Sequence, residues 1–302
     1  MIKFFPWRQA FHKKTVWFSL VVMLSLIVVA MLAPWISPHD PFRWEITRSR
    51  IPPMWVQDPP KPGTAEYPLG TDQFGRDILS RLIYGTRTAI FLALTAVPLA
   101  ALIGTLIGLV AGYAGGWLDS LLTLFTDMIQ SIPGIMFMVV IVLIFRSMLS
   151  PTWFHGLITL IIGFAAVSWV SLARLIRINT RMIKSQLFIE AAISIGSSPW
   201  HIITRHLLPN VMHVIIVWII NNIPAVILLE ATIGYIGISV TSAVGGSEFS
   251  VISWGGLFFS GRSMLSHNPL MLIIPSLGIL LISMSFILLG DFLSGISRQE
   301  AE

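Results

Sequence analysis

RLIRINTRMIKSQLFIEAAISIGSSPWHIITRHLLPN, residues 174–210, lies between two runs, 156–173 and 211–238, that hold a single Asp, Glu, Lys or Arg between them, Glu230. A helix needs about 20 mostly apolar residues to cross the hydrocarbon core of a bilayer. Both flanks therefore read as membrane spans, and the polar stretch as the loop that joins them. Within it, Ile183, Leu187, Phe188, Ala191, Ala192 and Ile195 fall on one helical face, with Lys184, Gln186 and Glu190 elsewhere. Gly196 interrupts the pattern. Pro199 suits the first turn of a new helix with a Ser before it as cap, and Pro209 is expected to stop that helix. The loop thus predicts two short helices joined by a glycine elbow, the first carrying the apolar face from Ile183 to Ile195 and the second running from about 199 to 207. An amphipathic pair of this kind lies on its own membrane or docks into a partner's groove.

Working outward, four more runs qualify as spans: 16–36, 89–111, 121–145 with Asp127 in its first half, and 270–290, closed by Asp291. The expectation is an all-α integral membrane protein with six transmembrane helices and both termini on one side. Lys3, Arg8, Lys13 and Lys14 precede the first span, the five cations of the 174–210 loop follow the fourth, and Arg298 follows the sixth. Positive residues favour the cytoplasm, which sets N-in and C-in and makes the 174–210 loop cytoplasmic. Residues 37–88 then lie outside, where seven basic residues are interleaved with six acids. The first apolar run exceeds the 7–15 residues of a signal-peptide core, and Ala33 is followed by Pro34 and Trp35 rather than a small-residue cleavage site, so it reads as a retained anchor.

Composition supports this. Of 302 residues 55% are hydrophobic and 11% charged, against about 25% charged in a soluble domain. The absence of cysteine excludes disulfides and thiolate metal sites. The net charge of +5 is dispersed along the loops, with no dense run that would bind nucleic acid. The organisation read from these features is 1–36, tail and first span; 37–88, an extracytoplasmic loop; 89–291, a core of five spans containing the loop 183–210; and 292–302, a cytoplasmic tail.

Between the spans, residues 37–63 are Pro- and Trp-rich and read as irregular. Phe74, Ile78, Leu82 and Ile83 recur at helical spacing, which suits an amphipathic helix in the membrane interface or one packed on its own protein. Gly104, Gly108, Gly112 and Gly116 form a four-residue rhythm that lets another backbone approach one helix face, a packing seam within this one chain in preference to a dimer face. Pro98, Pro133, Pro224 and Pro275 sit inside four spans and can kink them. Asp127 and Glu230 are intramembrane acids and so candidate pathway groups. Asn222 lies eight residues before Glu230, on the same helical face, and with Asn221 it could line a polar passage; the alternative is a satisfied contact inside the bundle.

Several motifs, taken in order, resemble one family. Glu190-Ala191-Ala192, Gly196, and His206-Leu207-Leu208-Pro209-Asn210 look like the EAA loop of ABC importer permeases, met without a gap. Leu69-Gly70-Thr71-Asp72 with Gly75-Arg76-Asp77, Gly112-Tyr113 with Gly116-Trp117 and Asp119, Ser253-Trp254-Gly255 and Gly290-Asp291 resemble the peptide and nickel branch, C-type subunit. The chain departs from that branch after Glu230, where relatives usually read Ser-Phe-Leu-Gly-Leu-Gly, and lacks the usual Asp-Pro after the last span.

The resemblance implies a type I ABC importer permease in a prokaryotic cell (inner) membrane, translocating di- or oligopeptides, with nickel chelates or sugars as alternative cargo. It implies a second homologous permease, one or two cytoplasmic ATPase subunits, and an extracytoplasmic binding protein that meets the outer loops 37–88 and 238–268. Glu190 would contact the ATPase, Ala191 and Ala192 allow close approach, Gly196 gives the bend, His206 belongs to the coupling element, and Leu208 and Pro209 end it. Gly104, Gly108 and Gly112 would pack helices, near the seam with the second permease. ATP and magnesium belong to the ATPase: Gly-x4-Gly-Lys-Ser/Thr is absent here, since only Lys14 and Lys184 precede Thr or Ser and neither follows the glycines. No cofactor or metal is expected on this chain, nor a catalytic residue. A membrane enzyme finds no His-Glu-x2-His or Gly-x-Ser-x-Gly. An ion-coupled secondary transporter would usually show internal repeats, and none is evident.

Overall fold

The computed structural model describes residues 14–57, 61–148, 153–238 and 252–299. Most of these residues are helical and none forms a strand, with one isolated bridge between Thr71 and Asp77 in the irregular segment 61–77. The long helices are α1 (Lys14–Ile36), α2 (Ile78–Ala114), α3 (Gly116–Gln130), α4 (Gly134–Met148), α5 (Trp153–Lys184), α8 (Leu208–Ile236) and α10 (Leu270–Gln299). Short elements α6 (Leu187–Ser194) and α7 (Pro199–Ile202) precede α8, and α9 (Trp254–Arg262) precedes α10. Among the described residues five helices are long and apolar enough to cross a membrane; α3 and α4, which meet at 86°, add a sixth when the bent pair is counted as one broken span.

That bend corrects the expectation of one helix over 121–145. The chain turns at Ser131-Ile132-Pro133. Proline disfavours helical geometry in the residue before it and cannot donate the backbone bond that would carry the helix through. Pro98, Pro224 and Pro275, in contrast, lie within continuous helices.

The amphipathic residues near position 78 are also placed differently from an interfacial helix. They form the first turns of α2, 37 residues long, and Ile78 and Leu82 are buried in the protein's own core. Periodicity identifies an apolar face but not what covers it. Asp77 caps this helix, accepting from the Ser80 backbone N–H at 3.0 Å. Just before it, Gly70 and Gly75 adopt positive φ, and a Cβ at Gly75 would lie 1.9 Å from the Glu45 carbonyl oxygen. Asp72 and Arg76 pair at 2.7 Å in the buried centre of this loop.

At the middle of the bundle, α2 packs along α5. A Cβ at Gly104 would meet the Trp169 carbonyl oxygen at 2.6 Å, one at Gly108 that of Ala173 at 2.6 Å, and one at Gly112 the Thr180 side chain at 2.7 Å. The glycine rhythm therefore joins two helices of this chain. Gly116 stands outside it, with open space around it.

The start of α1 meets the last turns of α10. Val16 packs with Phe292 and Leu293. The end of α1 lies beside the start of α2, where the His39 backbone N–H donates to Ser80 Oγ. The start of α1, the end of α2 and the end of α10 therefore share one end of the bundle, as N-in and C-in requires.

Candidate functional site

The coupling segment begins where α5 stops at Lys184, beyond the expected limit of the fourth span. The Ser185 and Gln186 amides still bond back to α5 carbonyls, and α6 starts at Leu187. Its C-terminus is a Schellman closure: the Gly196 N–H donates to Ile193 O at 2.9 Å and the Ser197 N–H to Ala192 O at 3.1 Å. Gly196 sits at φ +83°, in the left-handed region that favours glycine, and no heavy atom lies within 4 Å of the position its Cβ would take. The elbow is thus imposed by backbone conformation and not by crowding. Ser198 accepts from the His201 N–H at 3.3 Å, and Pro199 occupies the first helical position.

Beyond Pro199 the structure departs from the sequence expectation. The second short helix does not end at Pro209. Residues 203–207 form a π turn, in which the Leu208 N–H reaches back to Ile203 O, and the path continues without a break into α8. A proline in a regular α-helix clashes with the carbonyl four residues earlier. The widened turn lies where that carbonyl, of Arg205, would be, and the helical path passes through Pro209. The coupling helix and the fifth span are therefore one rod.

Anchoring and exposure divide the segment into two faces. Ile189, Ala192, Ile202 and Leu207 are buried, and Ile189, Ile202 and Leu207 belong to the main core. Leu187 and Ile195 are each 83% exposed and Trp200 is 73% exposed. Glu190 and Ala191 are exposed beside them, and among the described residues no ion pair engages the Glu190 carboxylate. His206 is half-buried, its ring centroid 6.2 Å from Phe188 and 5.9 Å from His201, and so ties the two arms of the elbow. Leu208 and Pro209 are half-buried at the root of α8. Among the described residues no group of His, Asp and Glu could hold a metal ion.

Two acids tie α3 to α5. Asp119, buried, accepts from Arg177 Nε and, at 2.9 Å, from a terminal nitrogen of the same guanidinium, and it also pairs with Arg181. Asp127 pairs with Arg174 at 2.7 Å, both half exposed. Asp127 is therefore engaged by a cation of this chain. Sequence reasoning quoted Asp119 only as part of a motif. The available signal was the spacing of Arg174, Arg177, Arg181 and Lys184, which places four cations along one face of α5.

Glu230 is buried and faces α9. It bonds to Ser253 and accepts from the Gly255 N–H at 3.3 Å, while Ser253 Oγ accepts from the Gly256 N–H. Trp254 donates from its indole nitrogen to Leu82 O at 3.2 Å, and a Cβ at Gly255 would lie 2.7 Å from the Glu230 carbonyl oxygen. The Ser253-Trp254-Gly255 motif is thus a joint of α2, α8 and α9. Asn222 bonds within its own helix, to Trp218 O, and Asn221 packs against Gly290. The structure does not bring Asn222, Glu230 and Asp127 into one passage. An open groove of about 920 Å³ does run between α8, α9 and α10, lined by Leu228, Tyr235, Phe258 and Met284 with Thr232 and Ser283.

A multi-span helical bundle with an exposed, bent helix pair at one end is the architecture that the sequence resemblance led us to expect of a membrane transport subunit. Comparison with known proteins agrees. Residues 104–300 match the family of binding-protein-dependent transport system inner membrane components, and residues 6–53 match the N-terminal transmembrane domain of oligopeptide transport permease C. The dipeptide transport system permease protein DppC of Bacillus subtilis is 30% identical over 94% of this chain and 82% of its own length. The oligopeptide permease OppC of Haemophilus influenzae is 29% identical over 94% and 84%. The glutathione transport system permease GsiD of Pectobacterium atrosepticum is 31% identical over 94% and 87%. The chain belongs to the binding-protein-dependent inner membrane permease family, as a multi-pass subunit.

Proposed function

We propose that this chain is one half of the pathway of an ATP-driven importer for di- or oligopeptides. A second, homologous permease forms the other half, one or two cytoplasmic ATPase subunits drive it, and an extracytoplasmic binding protein delivers cargo to the outer loops. ATP and magnesium are held by the ATPases. The observation that carries this reading is the coupling pair. Its exposed apolar side, Leu187, Ile195 and Trp200 with Glu190 and Ala191 between, is a docking face, while its buried side, Ile189, Ile202 and Leu207, is rooted in the core.

The mechanics follow from the rod. Displacement of the docking face by a closing ATPase reaches α8 directly through Trp200 and the π turn, and from α6 across the elbow through the Phe188–His206 contact. The fifth span then turns as a rigid body against α2, α9 and α10, which is alternating access driven by a difference in contacts between two states. Glu190 supplies a polar contact to the ATPase, Ala191 and Ala192 allow close approach, and His206 keeps the two arms of the elbow together. Peptide cargo is supported by the names of the relatives that cover most of this chain. The test is company and energy source. Purification in mild detergent is expected to bring down an ATPase and a second permease, and liposomes holding the assembly are expected to accumulate dipeptide only with ATP inside the ATPase compartment. Accumulation by the chain alone, driven by an ion gradient, would overturn the reading.

A further inference from the structure

The cytoplasmic ends of α2 and α5 leave a second polar feature that the coupling mechanism does not use. Gly112, Gly115, Arg181, Lys184 and Ser185 line an open cleft of about 340 Å³. Gly115 and Gly116 stand in succession at positive φ with no heavy atom within 4 Å of their Cβ positions, which leaves one wall bare backbone. Charge is unbalanced here. Of the four cations on the last turns of α5, Arg174 is matched by Asp127, and Arg177 and Arg181 share the single carboxylate of Asp119. Lys184 has no carboxylate among the described residues; its ammonium donates to Tyr113 O at 2.6 Å and lies 4.9 Å from that ring's centroid. Four cations face two acids, and the surplus lies at Arg181 and Lys184, both on the cleft. An ammonium has three donors and a guanidinium five, so each keeps N–H groups for a ligand.

Depth identifies the ligand's source. Both rims continue into exposed apolar surface, Trp117 and Leu121 on α3, Ile178 and Met182 on α5. The cleft therefore opens where acyl-chain-facing surface meets the polar loops, the level of phospholipid headgroups, with tryptophan and tyrosine beside it as is usual at that level. We propose that this cleft binds the phosphate of an anionic phospholipid in the cytoplasmic leaflet, with Arg181 and Lys184 as its charged ligands.

Because the chain has no cysteine, Ser185→Cys provides a single thiol in this subunit, at the cleft wall. The assembled importer carrying it is placed in nanodiscs of phosphatidylcholine, with or without phosphatidylglycerol, and labelled with a neutral maleimide. Labelling is expected to be roughly tenfold slower with phosphatidylglycerol, the factor that one to two surface cations supply. Lys184→Gln should remove that difference, whereas Lys14→Gln, on the same side but outside the cleft, should keep it. Native mass spectrometry should show the retained anionic lipid lost with Lys184→Gln, which checks the site independently of thiol reactivity. Equal labelling in both lipids would overturn the proposal. Equal protection by millimolar inorganic phosphate in pure phosphatidylcholine would assign the cleft to a free anion, and protection that follows the ATPase and not the lipid would assign it to a protein contact; either result overturns the lipid assignment.

Discussion

Gly196 shows how much one residue settles. A non-glycine side chain at its φ of +83° is disfavoured by about 1–2 kcal/mol, and asparagine, whose short polar side chain tolerates this region, by less. Since nothing crowds the Cβ position, the penalty is one of backbone conformation alone. Gly196→Val is therefore expected to leave the bundle folded, with a melting temperature lower by a few degrees at most because the strain is relieved by opening the elbow, but to release the ATPase in a pull-down. Gly196→Asn should retain it. Glu230 makes the complementary case inside the bundle. Its role as acceptor for the Gly255 N–H is preserved by glutamine and lost in leucine, which leaves buried donors unpaired at about 1–3 kcal/mol. Glu230→Gln should transport at near wild-type rate, and Glu230→Leu should melt several degrees lower; the comparison is made by thermal unfolding and by uptake. The acid was conspicuous in the sequence, but the partner that explains it lies 25 positions away in α9, a distance that periodicity does not bridge.

Among the elements, α3 is held to α5 by the Asp119 carboxylate and two guanidinium groups. Charge-assisted bonds of this kind contribute about 1.5–3 kcal/mol each. Arg177→Ala should destabilise the bundle by an amount in that range, seen as a lower thermal midpoint, and the exchange Asp119→Arg with Arg177→Asp should restore part of it. The π turn leads to a different prediction. Replacing Pro209 by alanine removes the obstacle that the widened turn accommodates. A return of 203–207 to regular α-helix would rotate the coupling helix about α8 by roughly one residue, near 100°. Pro209→Ala should thus remain folded yet lose most ATP-driven uptake, as measured in proteoliposomes. The π turn was not legible in advance, and of the 86° bend only Pro133 as one of four prolines able to kink a span was. Both sides of Ser131-Ile132-Pro133 are apolar enough that a hydropathy window sees a single span, and Pro209 reads equally well as the end of one helix or the start of the next. The spans, the elbow and its Ser-Pro cap were legible because each depends on local chemistry: apolar length, glycine freedom and the helix N-terminus.

Taken whole, the molecule is a bundle that leaves much apolar surface uncovered. Leu187, Ile195 and Trp200 protrude at one end, and the groove of about 920 Å³ runs between α8 and α10. A lipid bilayer suits the belt, and the protruding end is the surface that the proposed ATPase contact would cover. The glycine seam, in contrast, is satisfied within the chain, by α5. Its four-residue rhythm predicted close packing and a seam within this chain, and α5 is that neighbour; the seam with a second permease that the resemblance suggested for the same glycines is not needed to explain them. The central claim is that the bent pair transmits the work of a separate ATPase into the fifth span. Its most direct test is ATP-driven dipeptide uptake by the reconstituted importer carrying Glu190→Arg, measured together with the amount of ATPase that stays attached. Glu190 is exposed and without an ion pair among the described residues, so the fold is expected to survive while uptake and attachment both fall by more than half. Undiminished uptake with a fully retained ATPase would contradict the account.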